Sequence, residues 1–207
     1  MTDFNEKQIE ILQVAEQLFA EVGFDGTTIR TIAKKAAINI AMISYYFGSK
    51  EKLLEALVLH RISGMSLDLE NLYHENIAPI EKIEKLIAYY IQRINTNRCM
   101  YQILHFELSS KKREINLDAF TQVKNNNLKL IENIIKEGQS QGLFQPNINV
   151  ALLPPIIIGS FIHFHMNKKY YQQILNLKND TAFEQYILND LTIHIQKTIK
   201  ALLIYAN

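Results

Sequence analysis

The segment that most constrains the fold is residues 23–54, GFDGTTIRTIAKKAAINIAMISYYFGSKEKLL. Helix-stopping and helix-capping residues recur in it every few positions, with apolar residues at helical spacing between them. The preceding apolar pattern predicts a first helix over about residues 6–22. Gly23 stops this helix because glycine tolerates a left-handed backbone, and Thr27 or Thr28 caps the next one. The segment therefore predicts short helices joined by tight turns.

Two further caps divide the rest of this segment. A three-residue turn begins at Ala37, and Asn39 at its end caps a third helix over about residues 40–47. Gly48 ends that helix. Ser49 then caps a long fourth helix that extends through the fifties and sixties.

The remainder of the chain predicts only more helices. Seven Gly and four Pro in 207 residues are few, and no series of strands with period-two alternation is visible. We therefore expect an all-α fold, with a boundary between a small N-terminal domain and the rest near residues 60–75. The later helices are expected from residue 79, over about 99–109, about 114–139, about 149–168 with a kink at Pro154-Pro155, and about 181–205.

Several features bear on compartment and cofactors. The single Cys99 cannot form an intrachain disulfide, and the first ten residues carry charges where a secretory signal is apolar. The most apolar run, residues 150–164, is too short to span a bilayer. His163 and His165 lie on different sides of a helix and make a poor metal pair. We expect a cytoplasmic protein with no membrane partner, cofactor or metal site.

Local charge in residues 27–52 is more informative than the overall net charge of +1. Five basic residues stand against Glu51 alone, which gives a local net charge of +4. The basic residues are Arg30, Lys34, Lys35, Lys50 and Lys52. Such a patch favours the phosphates of a nucleic acid.

The side chains expected to contact DNA phosphates are identified by their positions at the helix starts and on the solvent side of this segment. Amides at a helix N-terminus favour anions, and Lys50 supplies a charge where the fourth helix opens. Lys34, Lys35 and Arg30 lie on the solvent side of the second helix and add backbone contacts. The side chains suited directly to phosphates are Thr27, Thr28, Tyr46 and Lys50.

The third helix predicts a surface that enters the major groove of DNA. At 100° per residue, the α-helical step, its apolar side packs on the other two helices and the opposite side points outward. The packed residues are Ile40, Ile43 and Phe47; the outward ones are Ala41, Met42 and Tyr45, with Ser44 and Tyr46 on the flanks. Because no Arg, Lys, Gln or Asn lies on the outward side, and Asn39 is the only nearby amide, we expect apolar contacts and A·T-rich half-sites.

The order of these elements resembles the TetR family of bacterial transcriptional regulators over about residues 9–54, ILQVAEQLFAEVGFDGTTIRTIAKKAAINIAMISYYFGSKEKLL. The resemblance implies an all-helical homodimer with a three-helix N-terminal DNA-binding region and a larger C-terminal domain that binds a small ligand. It also implies dimerisation through the last two helices. The positions that often meet DNA in this family correspond here to Thr28, Arg30, Asn39, Ala41, Met42, Ser44, Tyr45, Tyr46 and Lys50.

The sequence departs from the family pattern at three places. Ala37 stands where the family usually has Gly, and a left-handed backbone there costs about 1 kcal/mol. Ile40-Ala41 stands where Lys or Thr followed by Gly is frequent. Ser44 replaces a common Tyr.

The C-terminal part of the chain offers aromatic and polar-tipped side chains of the kind that line a small-molecule pocket. The residues expected to line it are Tyr90, Tyr101, His105 and Phe161. The last helix is apolar nearly all round, and the helix over about 149–168 shows the same excess. Because a surface helix needs only one apolar stripe, we expect a four-helix interface between two copies of the chain.

We therefore predict a helix-turn-helix DNA-binding domain over residues 1–65, with its motif at about 28–47, and a ligand-binding and dimerisation domain over 66–207. The predicted function is a ligand-responsive transcriptional regulator, a repressor that binds a palindromic operator as a dimer and is released by a small molecule. An all-helical enzyme is the first alternative, although no GxSxG, HExxH, phosphate-binding glycine loop or paired-cysteine metal motif is present. A helical scaffold whose N-terminal domain binds protein is the second.

Overall fold

The computed structural model describes residues 4–62, 65–110, 112 and 115–204. In these ranges the regular secondary structure is helical, and no strand is present. The prediction of an all-α fold is therefore confirmed. In chain order the helices are α1 Glu6–Gly26, α2 Ile29–Lys35, α3 Ile40–Phe47, α4 Lys50–Ile62, α5 Met65–His74, α6 Pro79–Thr96, α7 Arg98–Ser110, α8 Asp118–Ser140, α9 Leu153–Met166, α10 Lys168–Ile174, α11 Asp180–Tyr186 and α12 Thr192–Leu203.

The chain divides into two compact units that are not contiguous in sequence. Unit 1 comprises residues 1–66 and 97–125, and unit 2 comprises residues 67–96 and 126–207. The predicted division at residue 65 differs from this one because α7 packs on α1 and α4 within unit 1.

Unit 1 is built around the apolar side of α1. Ile11, Leu12, Ala15 and Phe19 are buried there with residues of α2, α3, α4 and α7. Helices as short as α2 and α3 are unstable alone in water, so this shared core is what stabilises them.

A buried ion pair joins α1 to α4 in unit 1. Glu16 is only 6% exposed, and its carboxylate accepts hydrogen bonds from the Arg61 guanidinium, one of them from Nε at 2.9 Å. The guanidinium compensates the negative charge that α1 places in the core.

In unit 2, α6, α9 and α12 pack against one another. A buried lysine links α6 to two other helices: the Lys82 ammonium donates to the Tyr73 carbonyl at 2.8 Å and to the Glu137 carboxylate at 3.0 Å. The bonds connect α5, α6 and α8, because each partner lies on a different helix. The hydrogen bonds and the opposite charge offset the cost of burying the ammonium.

The last part of the chain is not one regular helix. A π-helical turn, Ile187–Leu191, separates α11 from α12. The buried Thr192 hydroxyl donates to the Ile187 carbonyl at 2.9 Å. The Ile187 carbonyl thus accepts from both the backbone amide and the hydroxyl of Thr192 within the wider turn.

Two predictions about the preceding helix are wrong. Pro154 and Pro155 lie in the first turn of α9, after a 3₁₀ turn at Val150–Leu152, and so begin the helix instead of kinking it. The helix also ends at Met166, and the separate helix α10 follows. The predicted helix ends at residues 114 and 205, and the predicted passage of the fourth helix through residues 63 and 64, lie outside the described residues.

No single helix among the described residues is long and apolar enough to cross a membrane. Val150–Met166 and Lys168–Ile174 together meet the length and composition criteria, but the pair is bent by 83°.

Candidate nucleic-acid interface

The break between α1 and α2 is held by a buried threonine and a buried aromatic ring. Gly23 has φ 76° and ψ 166°, which confirms that the regular helix is interrupted there. Thr27 is only 1% exposed, and its hydroxyl donates a hydrogen bond to the Gly23 carbonyl at 2.8 Å. This burial corrects the prediction that the Thr27 hydroxyl contacts a phosphate. Phe24 is buried beside it and stacks on Phe19.

Thr28, not Thr27, caps α2. Its hydroxyl accepts from the Thr31 amide at 3.0 Å, and the Thr31 hydroxyl accepts from the Thr28 amide at 3.1 Å. This reciprocal pair satisfies two amides that the first turn leaves without helical partners. Thr28 is exposed, so its hydroxyl lies at the protein surface.

The turn between α2 and α3 fixes the start of the third helix. Ala37 has φ 50°, so the left-handed backbone expected at this position is present on a residue with a Cβ. Asn39 caps α3 as predicted, and its Oδ1 accepts from the Ala41 amide at 2.8 Å. The cap uses the side-chain oxygen, and the Nδ2 group remains as the donor of this amide.

The exposed face of α3 differs from the predicted one. Ile43 and Phe47 are buried as expected, whereas Ile40 is 45% exposed and Met42 is half-buried. The prediction that Ile40 packs on the other helices is wrong. Tyr46 packs partly against the core, so the buried side includes it and leaves Ile40 at the opposite edge. The exposed face of α3 consists of Ile40, Ala41, Ser44 and Tyr45.

The two neighbouring tyrosines have different surroundings. Tyr45 is 84% exposed, more than any other large apolar or aromatic side chain that the structure describes. Its ring meets the edge of the Tyr46 ring, with centroids 5.3 Å apart. Tyr46 is therefore steadied between the core and Tyr45, while Tyr45 projects into solvent.

Lys50 is engaged by the protein itself. Its ammonium donates to the Phe24 carbonyl at 2.8 Å and to the Thr27 carbonyl at 2.7 Å. It also lies over the Phe24 ring, 4.2 Å from the centroid. Because an ammonium has three donors, one N–H remains for another acceptor. Lys50 thus ties the start of α4 to the segment before α2.

The remaining cations of the basic segment fall into two groups. Lys35 lies 3.7 Å from a Glu21 carboxylate oxygen and Lys52 lies 2.8 Å from one of Glu55. Arg30 and Lys34 are exposed, one helical turn apart on α2, and neither forms an ion pair within the described part of the chain. Arg30 and Lys34 are therefore the uncommitted cations beside α3.

The four residues predicted to line a ligand pocket belong to different units. Tyr90 on α6 and Phe161 on α9 are buried in unit 2, and these two helices pack together. Tyr101 and His105 on α7 belong to unit 1, where His105 is exposed. The four residues do not form one pocket within either unit.

One exposed residue of the interface was not expected from the sequence. The sequence predicts a buried Ile40 because an isoleucine at helical spacing from Ile43 and Phe47 usually packs inward. A sequence signal against this assignment was available: Ile40 follows the N-cap Asn39 directly, and a first-turn residue can lie beyond the end of the core.

Two family models match the chain. Residues 11–57 match the model described as bacterial regulatory proteins, tetR family. Residues 62–201 match the model of the C-terminal region of a YsiA-like protein. Together they span both the candidate interface and the C-terminal helices.

Curated relatives extend over most of the chain. The transcriptional repressor NicS of Pseudomonas putida is 28% identical over 169 residues, which are 77% of this chain and 76% of the relative. The transcriptional repressor KstR2 of Mycolicibacterium smegmatis is 28% identical over 147 residues, 70% of each chain.

Solved structures show the same fold. The transcriptional regulator FadR of Bacillus subtilis in complex with stearoyl-CoA has a TM-score of 0.70 at 20% identity, and the match covers 94% of this chain and 98% of that one. The ketosteroid transcriptional regulator KstR2 of Mycobacterium tuberculosis has a TM-score of 0.66 at 20% identity and covers 99% and 98%.

Proposed function

This chain belongs to the TetR family of bacterial regulatory proteins, and we propose that it is a repressor that binds a palindromic operator as a homodimer and leaves it when a small molecule binds. It is a DNA-binding transcriptional regulator and not an enzyme. We assign it to the cytoplasm, where its operator lies.

The observation that carries this proposal is the exposed face of α3 beside the uncommitted cations of α2. In a helix-turn-helix, residues near the N-terminus of the second helix meet base edges while the first helix crosses the phosphate backbone. We assign base contacts to the Asn39 amide group and to the exposed side chains Ala41, Ser44 and Tyr45, with Met42 at the edge. We assign phosphate contacts to Thr28, Arg30, Lys34, Tyr46 and the remaining N–H of Lys50.

Specificity in this arrangement favours A·T-rich half-sites. The exposed face of α3 carries no side chain able to make the two parallel hydrogen bonds that read guanine or adenine. The Asn39 oxygen is occupied by its cap. DNA shape and apolar contacts with thymine therefore supply the discrimination.

Exposed apolar residues on the last helices support dimerisation. Within unit 2, α9, α10 and the segment from α11 to α12 leave large apolar side chains in solvent, and water disfavours such surface unless a partner covers it. These residues are Met166, Tyr170, Ile174, Leu188, Ile193 and Leu202. In a dimer that they form, two α3 helices about 34–36 Å apart match successive major grooves on one side of the duplex.

The effector acts by favouring a dimer in which the two α3 helices no longer match the operator. A ligand shifts such an equilibrium only as far as its affinities for the two states differ. We assign Tyr90 and Phe161 to the ligand pocket because both are buried on packed helices of unit 2.

Operator binding is tested by selecting sites from random DNA and measuring affinity against salt. Arg30→Ala and Lys34→Ala are each expected to lower the magnitude of the salt slope by about 0.9, because each releases one fewer counterion. Lys35→Ala is the matched control, since its ammonium pairs with Glu21. Absence of any selected sequence, or equal slopes for all three variants, contradicts the proposal.

Lys50 distinguishes positioning from phosphate contact in the same assay. Lys50→Met removes the two bonds to the Phe24 and Thr27 carbonyls. We expect it to lower operator affinity more than Lys34→Ala does, because the α1–α2 break loses its link to α4. An affinity equal to that of the wild-type protein would contradict this role.

The effector is sought by a thermal-shift screen followed by gel shifts with each hit. Long-chain acyl-CoA thioesters are tested first, because one structural relative was solved with stearoyl-CoA. A true effector raises the melting temperature and lowers operator affinity, whereas a hit that leaves operator affinity unchanged is not the effector.

A further inference from the structure

We propose that Ile40 is a specificity-determining residue that recognises the C5 methyl group of a thymine in each half-site. The inference rests on the proposed function and deepens it, because it names the side chain and the chemical group that it reads. It assigns to DNA recognition an isoleucine that its apolar character would place in the protein core.

The geometry of α3 places Ile40 on the surface available to the groove. At 100° per residue, Ile40, Ser44, Ala41 and Tyr45 fall within an arc of about 140°, and all are exposed. Ile40 is the first residue of α3, and the N-terminal residues of such a helix are those that reach base edges. Ile40 and Ala41 together form an apolar edge at that end.

The polar groups nearby are few and partly occupied. Asn39 carries the only side-chain amide among residues 39–47, and its oxygen accepts a hydrogen bond from the Ala41 backbone amide at 2.8 Å. Reading an adenine with an amide side chain needs both its oxygen and its nitrogen. The cap uses one of the two lone pairs of that oxygen and holds it towards the Ala41 amide, which disfavours a paired contact with adenine. The apolar edge instead faces the one apolar feature that base pairs present in the major groove, the thymine methyl group.

The expected size of the effect follows from burying one methyl group. Transfer of a single methyl or methylene group from water to an apolar contact is worth about a factor of four in affinity. One contact in each half-site therefore gives about sixteenfold for a dimer on its operator.

The experiment replaces individual thymines of a selected operator with deoxyuridine, which keeps the base pairing and removes only the methyl group. Replacing the contacted thymine in one half-site should lower the affinity of the wild-type protein about fourfold, and replacing it in both half-sites about sixteenfold. Ile40→Ser removes every side-chain carbon beyond Cβ and leaves a hydroxyl, whereas threonine would keep a methyl group able to contact thymine. We expect this variant to bind thymine and deoxyuridine operators with nearly equal affinity at that position.

Val22→Ser is the matched control, because Val22 is also an exposed β-branched apolar residue and lies near the end of α1. It should retain the wild-type preference for thymine. The inference is overturned if no thymine shows a methyl effect, or if the effect persists undiminished in Ile40→Ser. Loss of the effect in Ala41→Gly but not in Ile40→Ser would also overturn it, since the contact would then belong to Ala41. Failure of the wild-type protein to bind any selected DNA would instead count against the proposed function.

Discussion

Unit 1 and unit 2 use their exposed surfaces in different ways. In unit 1, caps at Thr28 and Asn39 set the ends of two short helices, and the exposed face of α3 is small and chemically mixed. In unit 2, side chains such as Ile193 leave large apolar surface in solvent along the last helices, α9 to α12. The difference fits the roles proposed above, contact with DNA for unit 1 and contact with a second copy of the chain for unit 2.

Charging the apolar surface of unit 2 is expected to have the largest effect. Leu188→Glu with Ile193→Glu places two carboxylates on the surface assigned to the dimer, so the protein should become monomeric at micromolar concentration. Operator affinity should fall by about 100-fold or more, because the second half-site no longer benefits from linked binding. Light scattering and gel shifts measure the two effects.

Lys129 supplies the control for this double variant, because it is exposed and belongs to α8, which is not among the helices assigned to the dimer. Lys129→Gln also makes the charge more negative and should leave both properties unchanged. A double variant that remains dimeric would contradict the proposal that the exposed apolar surface of unit 2 forms the dimer.

The second-largest effect tests whether the stability of unit 1 depends only on its helix caps or also on a charge pair between helices. Arg61→Ala leaves the Glu16 carboxylate buried without its main partner, and should lower the free energy of unfolding by about 3 kcal/mol. Urea denaturation measures this loss. Replacing both residues with methionine should recover much of it, because an apolar pair requires no charge compensation. Equal losses in the single and double variants would show that the charge pairing is unimportant.

A smaller effect is expected at the turn between α2 and α3. Ala37 adopts φ 50°, so Ala37→Gly should raise the free energy of unfolding by about 1 kcal/mol. Ala36, its neighbour, has φ −82° and is buried. Ala36→Gly should therefore lower stability by about the same amount. Changes of the same sign in the two variants would contradict the assigned backbone strain.

The smallest effect concerns an exposed pair in unit 2. The Lys168 ammonium, 2.9 Å from Oδ1 of Asp180, donates a hydrogen bond that lowers the pKa of that carboxyl below its ordinary value. The stabilisation is present above the ordinary carboxyl pKa and is lost as the pH falls through the lowered pKa of the folded protein.

Titration of Asp180 by NMR checks this sign. Lys168→Met should return the Asp180 pKa towards its ordinary value, and Lys169→Met, a change at the exposed neighbouring lysine, should leave it lowered. An unchanged pKa in Lys168→Met would assign the shift to another group.

The sequence predicts unit 1 well where hydrogen bonding is local. Asn39 and Ser49 are read as caps from their own positions, and each side chain accepts from an amide two or three residues later. The positive φ of Gly48 is local in the same sense. Such signals do not depend on how the rest of the chain packs.

The sequence predicts poorly where the partner of a side chain is distant. Whether Ile40 is buried depends on how far the core extends, and whether Lys50 meets a phosphate depends on carbonyls more than 20 residues away. Unit 1 is built from two separate stretches of sequence for the same reason, because α7 packs on α1 and α4, which lie much earlier in the chain. The proposed pocket residues divided between the units for this reason too.

The π-helical turn at Ile187–Leu191 has a consequence for how this protein tolerates insertions and deletions. A π turn holds one more residue than an α turn, so deletion of a single codon here would restore regular α-helical bonding. Because such a deletion removes only the extra residue of the wide turn, the side chains of α12 would keep nearly the same orientation relative to α11. A one-residue deletion inside α12 itself would instead rotate the residues on one side of it by about 100° relative to those on the other, and would rearrange the exposed surface of that helix.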